Sequence, residues 1–596
     1  MSVGCERWLR GGGVRVEEAQ PDFGFDVGAL SAEGPGGALV GLDGGAGGVV
    51  PAGEAKGVVY TREWVVELIL DLAGYVPDVD LAARCVVEPS AGEGAFLVPI
   101  VRRLVDSLER HGRSFCEARE AVRAYELEER SASRVVDVVV AELRRRGADA
   151  RTARSVAQGW VTVGDYLLSS GRHRKADFVV GNPPYIRYDD LPEGSFAAYR
   201  RLYPTMVGRG DIYVGFIEAG LRQLADGGVL AFICADRWMR AAYGAELRRL
   251  VAQCFSVEVV IEMHDAPAFD DDVSAYPAVI VIRRARQAQV LVAHAGADAD
   301  AVPAGSTIAG SLVDLAGGGD AKLRGFTATQ TPHWFGGRGP WPSVEPGRLA
   351  VLQRLEDEFR PLESDLTGTK VGIGVATGLD SVYITTDRSL VEPDRLLPLA
   401  MAADTKTGQL RWSGHYLIDP WMDGKGLVDL GAYPLLRSYF DDHRHELARR
   451  NIAKRDVRGW YRTIDRVNHA LVGKAKLYFP DMKLASNPTL DFGETYPHHN
   501  LYYLTSEGWD LEVLGGLLLS RVAQLFVEAY CVKMRGGTLR FQAQYLRRIR
   551  VPDPDTLPAD VQDPLRKAFR DRNVDEATGA ALAAYRIEDA RGLFGC

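Results

Sequence analysis

Between residues 57 and 295 two kinds of apolar pattern alternate along the chain. Short runs rich in β-branched residues, at 84–88, 121–127, 161–164, 176–181, 228–234 and 257–262, are bounded by turn formers and predict strands. Longer stretches at 95–110, 129–146, 213–225 and 241–254 repeat apolar residues three and four apart and predict helices. An earlier helix is expected at Trp64–Leu70, with Thr61 as its N-cap. Strand then helix, repeated, predicts an α/β domain: a doubly wound, Rossmann-like parallel sheet with helices on both faces. A last strand pair near 278–283 and 290–295 is expected to close it at about residue 295.

The pattern is weaker elsewhere. Residues 1–55 are Gly-rich and read as a loop-like arm, and 296–345 as a linker. Residues 346–596 read as a mixed α+β domain. It opens on a hairpin-like stretch at 371–384 and carries an amphipathic helix near 510–530, then a basic segment at 533–550. No internal repeat is present.

Composition narrows the class. At 596 residues the chain is too long for one core. With 46% hydrophobic and 25% charged residues it reads as soluble and globular. No apolar run reaches the roughly 18 residues of a membrane span, and no signal pattern opens the chain. The seven cysteines form no CxxC pair, so no metal site or disulfide framework is suggested, and a cytoplasmic location is expected. The net charge of −9 excludes a uniformly basic nucleic-acid binder, so any DNA contact must come from local basic patches.

The candidate chemistry lies at the ends of the expected strands, where ligands sit in a doubly wound sheet. The first strand leads through Glu88, Pro89, Ser90, Ala91, Gly92, Glu93 and Gly94, whose glycines let the backbone approach a ligand. This is not a dinucleotide fingerprint. The second strand ends in Glu126 and Leu127, a carboxylate suited to two ribose hydroxyls. After the third come Asp165, able to accept from an adenine amino group, and Tyr166, able to pack on the ring. Taken singly, Glu126 could be surface and the glycines a plain turn; together, in order, they mark a cofactor site.

The fourth strand ends in Asn182-Pro183-Pro184-Tyr185. Asn182 offers an amide oxygen, Pro183 a carbonyl fixed by its ring, and Tyr185 a flat face for a base. The lone pair of an exocyclic amino group is delocalised into its ring. Two acceptors holding its hydrogens would draw that pair out of plane, toward a methyl donor. The set therefore predicts methyl transfer from S-adenosylmethionine to a planar amino nitrogen. Phe269 reads either as a second aromatic facing Tyr185 across a sandwiched base or as a core residue. Arg200, Arg201 and Arg209 read as a loop able to meet phosphates or as solvated surface.

This order and spacing resemble the γ-class N6-adenine DNA methyltransferases of the TaqI type, specifically over 57–295 and more loosely over 365–552. Tyr60 and Thr61 match that family's N-terminal cofactor contact, the 88–96 segment its methionine-binding loop, Glu126 its ribose carboxylate, and Asp165 with Tyr166 its adenine pair. Asn182–Tyr185 matches the catalytic motif and Phe269 the second stacking aromatic. Lys370–Ile384 and Asn500–Pro552 resemble its specificity domain. The resemblance implies direct transfer to N6 of an adenine flipped from duplex DNA, with no covalent enzyme intermediate. Glu93 departs from the TaqI pattern and is expected beside the cofactor's amino group at most.

The same tetrapeptide occurs in enzymes that methylate RNA or protein glutamine amides, and a non-catalytic specificity subunit is an alternative of another class. The second half of the chain favours DNA. Residues 441–483 hold eleven Lys or Arg against six acids, including Arg449, Arg450, Lys454 and Arg455. Residues 521–551 hold seven against one, including Lys533, Arg535, Arg547, Arg548 and Arg550. Such density is the footprint of phosphate contact, and the last three arginines are expected to meet phosphates. The resemblance implies a prokaryotic, nucleoid-associated enzyme, with a place in restriction–modification or phage defence expected. No nuclease cluster is visible, so cleavage would need a partner protein.

Overall fold

A computed structural model describes residues 59–169, 175–191, 193–270, 276–300, 307–318, 323–424, 426–483, 486–531, 539–540 and 542–588. The expected Gly-rich arm, Lys533 and Arg535 lie outside these residues. The chain divides into two compact units, Met1–Pro340 and Trp341–Cys596.

In the first unit nine strands among the described residues form one sheet. They are β1 (Val86–Glu88), β2 (Val122–Glu126), β3 (Val161–Val163), β4 (Ala176–Gly181), β5 (Leu224–Ala235), β6 (Ser256–Glu262), β7 (Pro277–Arg283), β8 (Val290–Ala295) and β9 (Phe326–Thr331). Their spatial order is β3-β2-β1-β4-β5-β7-β6-β8-β9. The first five are mutually parallel, with β1 beside β2 and β4. β7 inserts antiparallel between β5 and β6, so the sheet is mixed rather than all parallel. The expected pairing of 278–283 with 290–295 does not occur, because β6 separates the two strands.

Side-chain alternation along β5 places helices on both faces. Val229, Ala231 and Ile233 join the core cluster of the helix α1 (Glu63–Ala73). Leu230 and Phe232 point the other way, toward a helix at Tyr213–Gln223. Gly220 lets that helix lie close, since a Cβ there would sit 2.7 Å from Leu230 Cδ1. The helices α2 (Leu97–His111) and α3 (Glu129–Arg145) fall near their expected places. Two helices have no counterpart in the sequence reading, Ala150–Trp160 and Glu193–Leu202.

Residues 296–345 are not a linker. A helix at Ile308–Ala316 buries Ile308, Ala309 and Leu312 in the same core, and β9 pairs along the whole of β8. Gly-rich flanks hid both elements from pattern reading.

The second unit is mixed α+β. One antiparallel sheet orders Lys370–Ile373, Leu501–Thr505, Lys476–Pro480 and Thr489–Asp491. A second orders Ile384–Thr385, Tyr416–Ile418, Leu396–Ala400 and Tyr496–Pro497. The expected hairpin at 371–384 is therefore absent: its two ends belong to different sheets. The expected helix at 510–530 is two, Leu511–Leu519 and Arg521–Tyr530, which bend by 63° at Ser520. Ser520 caps the second through its side chain, which accepts from Ala523 N–H. Among the described residues no single helix is long and apolar enough to cross a membrane; this bent pair passes by length and composition only. Its Leu514, Leu517, Leu525 and Phe526 are fully buried.

Candidate active site

The carboxyl ends of β1 to β4 are stitched together by hydrogen bonds. Ala91 N–H donates to Tyr125 O and Gly164 N–H to Glu126 O, each at 2.8 Å. Gly92 N–H donates to Glu126 Oε2 at 2.8 Å, and Glu128 N–H to Glu126 Oε1 at 2.9 Å. Ser90 Oγ donates to the Asn182 carbonyl at 2.9 Å. The loop after β1, the carboxylate after β2 and the turn after β4 thus form one bonded surface. Each oxygen of Glu126 keeps acceptor capacity, since a carboxylate offers about four lone-pair sites.

The two loop glycines serve different ends. Gly94 has φ +95°, and a Cβ there would lie 2.9 Å from Val135 on α3, so it lets the loop settle on that helix. Gly92 has φ +52° and nothing within 4 Å of a built Cβ, which leaves open room at the loop's crest. Pro89 instead packs behind the loop, against Gly181.

Glu88 ends β1 fully enclosed. Its Oε2 is buried without a hydrogen-bond partner. Burial first, and then the Glu126 carboxylate, push its pKa well above the usual carboxylate range. Asp236, after β5, shows the opposite case. Burial raises it, but Arg240 and then His264 outweigh that and hold it below its ordinary value. Its Oδ2 pairs with Arg240 and lies 2.7 Å from His264 Nε2. An unpaired buried carboxylate awaits a partner; a paired one does not.

Asn182 carries the sharpest geometry. Its Nδ2 donates to Val59 O and to Thr61 Oγ1, both at 3.1 Å. A carbonyl can only accept, so Val59 fixes which amide atom is nitrogen. Oδ1 is left buried with no partner. Thr61 is therefore not the helix cap expected of it: the N-cap is Arg62, without a side-chain bond, and the Thr61 hydroxyl serves Asn182. The 60–62 segment is held by Phe269's neighbours, through Arg62 N–H to Ala268 O and Asp270 N–H to Tyr60 O. Residues 59–61, 182 and 268–270 thus meet at one place.

Tyr185 packs edge-on against Tyr213 at 6.4 Å and Phe269 at 6.3 Å, the latter pair inclined by 78°. Its hydroxyl is buried without a partner, and burial, then Cys234, push the phenol well above its ordinary value. Phe269 is 8% exposed and part of the core cluster. Of the two readings of Phe269, its burial matches the core residue, and its ring stands nearly at right angles to Tyr185 rather than parallel to it.

Other expectations shift as well. Tyr166 is 2% exposed, stacked on Phe216, edge-on to Tyr125, and its hydroxyl donates to Gln223. It is a core ring and not an open platform for adenine. Leu127 beside Glu126 is 68% exposed. Asp165 accepts from Leu167 N–H and from the Tyr199 hydroxyl. Glu93 lies at the surface, 3.4 Å from Arg134. Arg200 and Arg201 stand on a helix rather than a loop, and Arg200 donates to Met206 O; Arg201 and Arg209 are exposed.

The basic residues of the second unit divide sharply. Arg450 spends its guanidinium on the carbonyls of Leu447, Thr377, Trp460 and Arg462 and on the Tyr383 hydroxyl. Arg547 pairs with Glu363 at 2.6 Å and donates to Val371 O. Arg548 lies over the Tyr530 ring. Arg550 sits in a strand with Nε buried. Arg450, Arg547 and Arg548 thus have partners within the fold and Arg550 a buried Nε, where the sequence suggested guanidinium groups wholly facing solvent. Arg449, Lys454 and Arg455 are exposed, and nearby Arg444 stacks on Trp460 at 4.7 Å.

Sequence reading missed Val59, Tyr199 and Tyr213. Val59 lies 123 residues from the side chain its carbonyl holds; backbone acceptors and helix-borne tyrosines carry no local signal for such roles.

The sheet order, the stitched strand ends and the Asn-Pro-Pro-Tyr turn define an α/β methyltransferase domain. Residues 127–269 match the Eco57I restriction-modification methylase family. Over 538 residues the chain is 44% identical to the Type II methyltransferase M.PaeR7I of Pseudomonas aeruginosa, covering 90% of this chain and 92% of that protein. It is 40% identical to M.XhoI of Xanthomonas vasicola, over 90% and 98% of the two chains. With M.BstVI of Geobacillus stearothermophilus it shares 36%, over 85% and 92%. The chain belongs to this family of Type II DNA methyltransferases of restriction–modification.

Proposed function

We propose that this methyltransferase moves the methyl group of S-adenosylmethionine to N6 of an adenine flipped out of duplex DNA at a specific sequence. The observation that carries this reading is the Asn182 amide, pinned through its nitrogen so that a buried oxygen is left to accept. In this reading Oδ1 takes one amino hydrogen of the target base and the Pro183 carbonyl the other. The nitrogen lone pair then turns out of the ring plane, and positioning supplies much of the remaining acceleration. The base stacks on Tyr185, with Phe269 meeting it at a right angle. The amino group is out of reach inside a duplex, so the base leaves the stack at a cost of a few kcal/mol.

The strand ends suit the methyl donor. S-adenosylmethionine supplies an electrophilic methyl on a sulfonium. Glu126 has acceptor capacity for the ribose hydroxyls, Leu127 an apolar face for adenine, and Gly92 open room for the chain between them. The unpaired Glu88 oxygen matches the amino group of the methionine part. The second unit is assigned target recognition, with Arg449, Lys454 and Arg455 on phosphates. A partner nuclease cutting the same unmodified sequence completes the proposed system.

Nucleoside analysis of DNA methylated in vitro tests this. N6-methyladenine in one sequence context is expected, and loss of product with Tyr185→Ala. Methylation of cytosine alone, or of RNA or protein in place of DNA, would overturn the reading.

A further inference from the structure

In the second unit, far from the Asn-Pro-Pro-Tyr turn in sequence, three side chains converge that the methyl-transfer reading does not use. Asp380, His498 and His499 each offer one donor atom within 4.8 Å of the other two. His498 is 1% exposed. Its Nε2 lies 3.1 Å from Asp380 Oδ2, and its Nδ1 is buried with no hydrogen-bond partner. His499 Nδ1 is likewise buried without a partner. Two orphaned imidazole nitrogens side by side are unusual, because buried polar atoms ordinarily find partners.

We infer that Asp380, His498 and His499 form a binding site for one divalent transition-metal ion of the zinc or cobalt kind. Two imidazoles and a carboxylate are a donor set for borderline metals, whereas magnesium and calcium favour oxygen-only cages. Donors bound at about 2.0–2.1 Å in a tetrahedron lie roughly 3.4 Å apart. No pair of the three atoms, all within 4.8 Å of one another, therefore needs to close by more than about 1.4 Å, and the half-exposed Asp380 side chain has room to move.

The surroundings fix the backbone of both histidines. His498 N–H donates to Ala400 O and His499 N–H to Val375 O, so the backbone carrying both rings is fixed on two sides. Thr377 Oγ1 donates to Asp380 Oδ1, the kind of outer hydrogen bond that orients a ligating carboxylate. Among the described residues Asp380 pairs with no Lys or Arg. The other converging set, Asp236, Glu262 and His264, differs on this point. Arg240 pairs with both of its carboxylates, so a cation already occupies it. A metal at the first set would tie the segment 375–380 to the strand end at 496–499, more than a hundred residues away in the chain.

The test uses the full, tag-free chain stripped with a chelator. Cobalt titration should produce visible d–d absorption that saturates at about one ion per chain, and zinc should displace it. His499→Ala and Asp380→Asn should each weaken zinc, measured by competition with a chromogenic chelator, by about tenfold or more. The wild-type cobalt spectrum stands even if a variant fails to fold. No saturable cobalt absorption in the wild-type chain would overturn the site. So would zinc affinity unchanged in both variants, or affinity lost in His264→Ala and kept in His499→Ala.

Discussion

The sheets of the two units keep their polar groups in different places. In the first, the sheet interior is apolar: Val86, Val87, Val179, Val180 and Ile233 are fully buried, and charge collects at the strand ends around Glu88, Glu126 and Asn182. In the second, charge lies inside the core. Lys476 and Asp491 are both fully enclosed and pair at 2.9 Å, with Tyr478 and Thr495 bonded to the same carboxylate. A sheet that keeps its polar atoms at one edge has a site there almost by construction. A sheet with an ion pair in its interior instead depends on both partners staying in place.

The largest effect should come from breaking that ion pair. Lys476→Met leaves the Asp491 carboxylate buried without its cation, at a cost of about 3–5 kcal/mol. Denaturant unfolding of the full chain should lose stability in the second unit's transition while the first unit's stays in place. If both transitions held still, the ion pair would not be the element that distinguishes the two units.

Next is Asn182→Ala, which removes the buried, unpartnered amide oxygen. Loss of a single site hydrogen bond of this kind lowers turnover on the order of 10²–10³-fold. Affinity for S-adenosylmethionine should stay within a few-fold. Asn182→Asp sharpens the point: it keeps an oxygen in the site but sets another against the Val59 carbonyl, so it too should be inactive. An active Asp variant would show that the pinned nitrogen is dispensable.

The same contrast explains what could be read before the structure was known. In the first unit, β-branched runs and 3.6-residue periodicity mark elements directly, and β1, β2, β4, α2 and α3 lie within a few residues of expectation. Motif residues at strand ends follow from the strands. The convergence of Val59 and Thr61 on Asn182 does not, because nothing local links a carbonyl to an amide 123 residues on. In the second unit the ordering interactions are of that kind throughout. Arg547, Arg548 and Arg550 read as a basic stretch in sequence, yet the partners of Arg547 and Arg548, Glu363, Val371 and Tyr530, are distant or lie on another element. Charge density alone does not say whether an arginine faces solvent or its own fold.

A smaller effect is expected at Glu126. Its carboxylate shapes the loop through Gly92 and Glu128 and is proposed to take the ribose hydroxyls. Glu126→Ala should weaken S-adenosylmethionine binding by about 1.5–3 kcal/mol, the range for a hydrogen bond to a charged group. Glu126→Gln, which can still accept from Gly92, should lose less. Calorimetry giving equal affinities for all three proteins would put the cofactor elsewhere.

The smallest effect separates structural from solvent-facing arginines in the second unit. Replacing Arg449, Lys454 and Arg455 with Ala should leave folding intact, since all three are exposed. If each meets a phosphate, the plot of log affinity against log salt flattens by about 0.9 per lost contact on duplex DNA. Sequence preference should change little, because phosphate contacts position without specifying. Replacing Arg547, Arg548 and Arg550 should do the reverse. The salt slope should hold, while stability falls as Glu363 loses its partner and Tyr530 its covering guanidinium. Titrations of specific and scrambled duplexes at several salt concentrations, run beside unfolding curves, distinguish the two triples. A flattened slope for Arg547, Arg548 and Arg550 with stability unchanged would mean that their contacts open on binding, and that fold and DNA compete for the same side chains.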